Sequence, residues 1–207
     1  MDWFVRNSCG NQLNIDWRLV HLNTNTFRVD SADWVPSPNH DERPDSSDPE
    51  VVIVHCISLP PGEYGGGEVK RFFQNQLSAD EHPYFQSMAH LCVSSHFLID
   101  RKGELTQFVT TDKRAWHAGE SVCLQRSQVN NFSIGIELEG WDLDKSGFTS
   151  HQYQSLAELI VCLRQAYPKI KSDHLFAHSD ISPGRKPDPG PYFEWTTLFR
   201  ILDKMSI

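Results

Sequence analysis

Apolar and polar positions fall into a recognisable period over only part of this chain, and that part begins at residue 51. The run VVIVH (51–55) is apolar, β-branched and bounded by Pro and Gly signals, which predicts a buried strand with His55 at its C-terminal end. VKRFFQNQL (69–77) carries a weak helical period, and CVSSHFLID followed by RKGELTQFV predicts two strands joined by a tight turn at residues 100–103. FSIGIELEG (132–140) alternates, placing Ile134, Ile136 and Leu138 on one face and Ser133, Gly135, Glu137 and Glu139 on the other. Thr149 and Gln152 form a capping box ahead of a helix whose Leu156, Leu159, Ile160 and Leu163 make one apolar stripe. LFAH (175–178) predicts a further short strand ending in His178, and YFEWTTLFRILDKM (192–205) an amphipathic helix.

Before residue 51 the pattern fades. Residues 1–33 have no clean period and read as an N-terminal extension of unassigned role, while DWVPSPNHDERPDSSDPE (33–50) reads as a Pro-, Ser- and Asp-rich connection. The expected division is an extension over 1–33 and a single α/β domain over 34–207.

Composition narrows the partners. With 207 residues, 39% of them hydrophobic, one core is expected, and 19 basic against 27 acidic side chains leave a net charge of -8. That charge repels phosphate backbones and anionic lipid, so neither nucleic acid nor a membrane is expected as partner. The first residues, MDWFVRNSCGNQLNIDW, lack the apolar stretch and cleavage site of a signal peptide, so a cytoplasmic location is expected. The five cysteines, Cys9, Cys56, Cys92, Cys123 and Cys162, are scattered and never spaced C-x-x-C, which predicts free thiols in place of a disulfide framework or a cysteine metal cluster.

The stretch AHSDISPGRKPDPGP (177–191) concentrates polar groups in a frame that Pro and Gly keep from becoming a regular helix. Ligands of open α/β sheets gather at the carboxyl ends of strands, so His55 and His178 converge if their strands are parallel neighbours. A hydrolytic zinc takes three protein ligands from His, Asp, Glu or Cys and leaves one position open, a role His55, His178 and Asp188 would fill. Pro187 biases Lys186 toward extended geometry, so Lys186 and Asp188 project to the same side. The chain has ten histidines, which allow many such triples, so spacing alone leaves this set beside the reading of unrelated core histidines and a turn aspartate.

VVIVHCISLPPGEYGGG, HPYF, KRAWHAG, FSIGIELEG and AHSDISPGRKPDPGPYFEW, in that order, resemble the type 2 N-acetylmuramoyl-L-alanine amidases, most closely the AmpD-type 1,6-anhydro-N-acetylmuramyl-L-alanine amidases. The resemblance runs from about Phe27 to Phe199. It implies a central mixed β-sheet flanked by helices, shared with peptidoglycan recognition proteins. It also implies one zinc held by His55, His178 and Asp188, a catalytic Glu137 and a catalytic Lys186. Periodicity does not choose between Glu137 and Glu139; the resemblance does. Tyr84, Trp116 and His117 are the candidates it offers for substrate contact, and the substrate it implies is a small soluble muropeptide.

Two positions depart from the pattern that the resemblance implies. Cys56 stands just after the first ligand where an asparagine is usual, and Cys92 stands where a basic residue is common. The other readings are a peptidoglycan-binding recognition module and a wall-lytic amidase acting on intact murein. Non-catalytic modules typically lose a zinc ligand, whereas this chain keeps all three.

Overall fold

The computed structural model describes residues 20–44 and 47–205, together with the paired strands Val5–Arg6 and Gln12–Leu13; Cys9 and the rest of 1–19 lie outside the described residues. Six strands form the central sheet: β1 (Asp33–Trp34), β2 (Val51–Ile57), β3 (Phe97–Ile99), β4 (Leu105–Gln107), β5 (Ser133–Glu139) and β6 (Leu175–Ala177). Their spatial order is β6-β2-β5-β3-β4-β1. The β6-β2, β2-β5, β5-β3 and β4-β1 pairs are parallel and β3-β4 is antiparallel, so the sheet is mixed. The antiparallel pair is the expected hairpin, with Gly103 at φ +83° supplying its turn.

One face of the sheet is apolar over its central strands. Val52 and Val54 of β2 and Ile134, Ile136 and Leu138 of β5 are buried with Leu156, Leu159, Ile160 and Leu163 of α2 (Ser150–Ala166) and Leu198 and Leu202 of α4 (Trp195–Met205). The capping box of α2 does more than end the helix. Gln152 Oε1 accepts from Thr149 N–H at 3.1 Å, while its Nε2 donates to the carbonyls of Ile99 and Glu139 at 3.2 and 2.9 Å, fastening the helix to the ends of β3 and β5. The opposite face is divided. Val51 and Ile53 pack with Ala118, Val129 and Phe132, and Leu98 packs with Phe72, Phe73 and Phe108, with polar residues between the two clusters.

Helix α1 (Glu68–Phe73) is shorter than the expected 69–77 because Asn75 adopts φ +58° and turns the chain out of the helix. β6 ends at Ala177, and His178 opens the single turn α3 (His178–Ile181) instead of closing the strand.

The segment before residue 51 belongs to the fold more closely than its pattern suggests. Leu22 and Val29, inside the expected extension, are buried in the main core. The segment 33–50 adds β1 to the sheet edge and pairs His40–Glu42 antiparallel with Lys113–Ala115. Arg43 from that segment is buried, its guanidinium donating to the carbonyls of Thr111, Asn130, Asn131 and Ser133, the last at 2.8 Å. Burial pushes it down to about 10, still charged at neutral pH.

The cap is testable alone. Thr149→Ala removes the Oγ1 that accepts from Gln152 N–H and donates to Arg101 O, and should lower the unfolding free energy by about 1–2 kcal/mol in urea titration.

Candidate functional site

Strand register assembles the site. In the parallel β2-β5 pair Glu137 lies opposite His55, and in the β6-β2 pair Ala177 lies opposite Val54, so His178 emerges beside His55 at the carboxyl edge of the sheet. Asp180 holds the turn there by accepting Ala177 N–H at 2.8 Å. Ser179 N–H donates to the carbonyl of Asp188 at 3.0 Å and folds the Pro-rich loop back over the strand ends.

Three electron-rich atoms meet as a result. His55 Nδ1 and His178 Nδ1 are 2.9 Å apart, and each is 3.1 Å from Asp188 Oδ2. Among the described residues these form the one set of His, Cys, Asp and Glu side chains whose donor atoms converge in this way. The tautomer of His178 follows from the shorter contact of its other nitrogen: the Ala118 carbonyl, which can only accept, lies 3.1 Å from Nε2, against 3.4 Å for Arg185 Nη2, which can only donate. Its Nδ1 therefore turns a lone pair toward Asp188 and His55. Two imidazole nitrogens and a carboxylate oxygen, bordering an open cleft, fit a zinc ion that keeps one position free.

The charges around these atoms follow from burial. Desolvation pushes His55 down to about 4, against the opposing pull of Asp188, so the ring is neutral and available as a ligand. Asp188 is pulled two ways: burial raises its carboxyl, and protons on the His178 and His55 nitrogens that face it, which a metal ion would replace, hold it well below the usual range.

Glu137 and Glu139 share a face and a burial of 8% exposure, yet their surroundings separate them. Both oxygens of Glu139 are engaged by backbone: Gly65 N–H donates to Oε1 at 2.6 Å and Arg101 N–H to Oε2 at 3.2 Å. Glu137 lines the cleft, and its Oε2 is buried with no hydrogen-bond partner. Burial and the nearby Asp188 raise Glu137 well above an ordinary carboxyl, with Lys186 opposing. A carboxyl group that holds its proton more tightly than usual and has a free oxygen is equipped for proton transfer; its neighbour two residues on is a structural latch.

The cleft holds about 360 Å³. His55, Glu137, His178, Lys186 and Asp188 line it, and so does Tyr84, which is exposed on its rim. Trp116 does not join them: its indole N–H donates to Asp41 at 3.1 Å, away from the cleft-lining residues. His117 reaches the cleft but its ring nitrogens are taken by His55 and Ser133. Cys56 lines the wall, its thiol 3.7 Å from the Pro189 carbonyl and raised by burial, so it is a neutral group there; Cys92 is exposed and outside the lining. Sequence reasoning missed the apolar side, where Phe72, Phe73, Met88 and Trp141 face the same space. The only signal for Trp141 was its position just beyond the strand that carries Glu137.

A family model described as N-acetylmuramoyl-L-alanine amidase matches residues 45–191. The chain belongs to the N-acetylmuramoyl-L-alanine amidase family. Within it, the chain is 47% identical over 182 residues to the 1,6-anhydro-N-acetylmuramyl-L-alanine amidase AmpD of Enterobacter cloacae, covering 88% of this chain and 95% of that protein. The crystal structure of a selenomethionine AmpD derivative matches with a TM-score of 0.82 at 46% identity, covering 86% of this chain and 97% of the other. The N-acetylmuramyl-L-alanine amidase AmiD from E. coli matches with a TM-score of 0.55 at 28% identity, covering 74% of this chain and 57% of AmiD; that structure is a complex with anhydro-N-acetylmuramic acid-L-Ala-D-gamma-Glu-L-Lys. The single domain built on a central mixed sheet with flanking helices is thus an amidase fold.

The two glutamates of this amidase should differ in stability effect. Glu139→Gln replaces one acceptor with a donor facing a backbone N–H and should cost about 1–3 kcal/mol in urea titration. Glu137→Gln removes a buried carboxylate with an unpaired oxygen and should be neutral or stabilising in the same measurement.

Acid sensitivity is expected with a chelator present. Burial holds His55, His96 and His117 below the ordinary value of 6.5, His55 at about 4, so the unfolded chain takes up protons first as pH falls. The stability they contribute is whole above about pH 6.5 and is lost on the way down, at up to about 1.4 kcal/mol per pH unit per ring. Urea midpoints measured between about pH 7 and 4.5 should fall accordingly.

Proposed function

We propose that the chain is a zinc-dependent amidase that hydrolyses the bond between 1,6-anhydro-N-acetylmuramic acid and L-alanine in soluble muropeptides, a cytoplasmic step of peptidoglycan recycling. One observation carries the reading: His55, His178 and Asp188 converge beside a buried carboxylate, Glu137, that has a free oxygen. Likeness to AmpD, and the anhydromuramyl peptide bound by AmiD, support the substrate class. A net charge of -8 gives no electrostatic attraction to a polyanionic wall, which supports a soluble substrate over intact murein.

In this mechanism His55 Nδ1, His178 Nδ1 and a carboxylate oxygen of Asp188 would hold the ion. Bound zinc supplies Lewis acidity, polarising a carbonyl and lowering the pKa of water. Glu137 takes a proton from the attacking water and delivers it to the alanine nitrogen as the carbon–nitrogen bond breaks, leaving a lactyl carboxylate and a free amino group. Its raised pKa suits both halves of that transfer. The Lys186 ammonium, on the cleft wall, offsets the charge that gathers on the carbonyl oxygen, an effect commonly worth about 3 kcal/mol of barrier. Tyr84 on the rim contacts the substrate.

The test is to incubate the protein with anhydromuramyl-tripeptide and with wall sacculi, with and without chelator, and to identify products by mass. Expected are free tripeptide, loss of activity with chelator and recovery with zinc, and a preference for the soluble substrate of at least about tenfold, or roughly 1.4 kcal/mol. Glu137→Gln should keep one zinc and lose about 10²–10⁴ in kcat. His178→Ala with a full equivalent of zinc would overturn the ligand set, and equal rates on sacculi would make the protein a wall lysin.

A further inference from the structure

One part-buried histidine beside the site has no part in this chemistry. His117 Nδ1 lies 2.9 Å from His55 Nε2, the nitrogen that faces away from His178 and Asp188, with the two rings edge to face at 85°. We propose that His117 is a positioning residue: it accepts the outward N–H of His55, fixing the tautomer that turns the Nδ1 lone pair toward the metal position. The proposal rests on reading His55 as a metal ligand.

The hydrogens can be followed through the contacts. For His55 Nδ1 to be free, His55 Nε2 carries the hydrogen and His117 Nδ1 accepts it. Neutral His117 then carries its own hydrogen on Nε2, which is 3.0 Å from the Ser133 hydroxyl oxygen, a ready acceptor. The neighbouring residue serves the other histidine in the same way, since the Ala118 carbonyl receives the Nε2 hydrogen of His178. Two consecutive residues thus take the outward N–H groups of both histidine ligands. Ligand histidines are commonly oriented by such partners, and a neutral imidazole in that place is unusual beside the carboxylates and carbonyls that generally fill it.

The surroundings hold this turn and ring in place. Asn130 Oδ1 accepts from both His117 N–H and Ala118 N–H, at 3.2 and 2.8 Å. Gly135, in the middle of β5, leaves the space the ring occupies: a Cβ there would stand 2.5 Å from His117 Cγ. The His96 ring closes the third side, with centroids 5.7 Å apart. Ser133, Gly135 and Glu137, alternate residues of one strand face, thus meet His117 Nε2, the flank of the His117 ring and the cleft respectively.

The test is zinc affinity of the apo-protein, titrated against a chromophoric chelator, with apo-protein melting followed in parallel. His117→Leu keeps bulk without an acceptor and should weaken zinc by about 10–100-fold, and should shift the visible spectrum of the cobalt-substituted protein. His117→Asn puts an amide oxygen near the position of Nδ1 and should recover most of the affinity. Ser133→Ala, a small change that provides a second route should His117→Leu not fold, should weaken zinc at least about threefold. Lower melting with unchanged zinc affinity in either folded variant would show a merely structural ring and overturn the proposal. Failure of the unaltered protein to bind one zinc would overturn the ligand reading itself, a separate result.

Discussion

The site depends on the parallel register of β2 against β5. His55 stands opposite Glu137 because Val52 and Val54 stand opposite Ile134 and Ile136, and those apolar residues are fully buried under α2. A strand has a period of two, so a slip by one residue would turn Ser133, Gly135, Glu137 and Glu139 into the helices and three large aliphatic side chains into the cleft. Hydrophobic packing on one face thereby aims the polar groups on the other. No contact near the cleft has comparable reach.

The polar face sets well-satisfied groups beside Glu137, whose Oε2 has no partner. Arg43 is wrapped in carbonyls, Glu139 in two backbone N–H groups, and the rings of His117 and His96 have a partner on both nitrogens, while His55 and His178 have one on the nitrogen that faces away from Asp188. Glu137 Oε2 breaks the pattern. Unpartnered buried oxygens oppose folding by a few kcal/mol at most, and they persist where the surrounding structure is firm enough to impose them and the chemistry uses them. The contrast between alternate residues 137 and 139 is that of an unsatisfied carboxylate beside a satisfied one.

How much could be read beforehand varied with the kind of signal. The strands β2 and β6, the hairpin around Gly103 and the capped helix α2 were legible because each rests on local pattern or turn chemistry, although β2 runs on to Ile57, two residues past the expected end, and β6 stops one residue short of His178. The segment 20–50 was not, because β1 and the His40–Glu42 pairing are held by backbone bonds and by a buried arginine, none of which leaves a hydrophobic period. Trp116 packs against the same segment. Its partner, Asp41, lies in the stretch read as a connection, and an aromatic residue in a motif does not announce which way it points. Choosing Glu137 over Glu139 from the residues alone required knowing where Gly65 and Arg101 come to rest, which is tertiary information.

The loop after β2 carries a different consequence. Tyr64 Oη donates to Asp144 at 2.5 Å with Arg101 across its ring, and Gly65 N–H is held by Glu139, so this glycine-rich segment is tied down at two successive residues. A tether of this kind charges the conformational entropy of the loop to folding, leaving little of it to be lost when a ligand arrives. Binding then resembles docking against a wall already in place, and its heat-capacity change reports the apolar area covered with little contribution from chain ordering. The three glycines at 65–67 make the segment look pliable on paper; the bonds at Tyr64 and Gly65 tie it to Asp144 and Glu139.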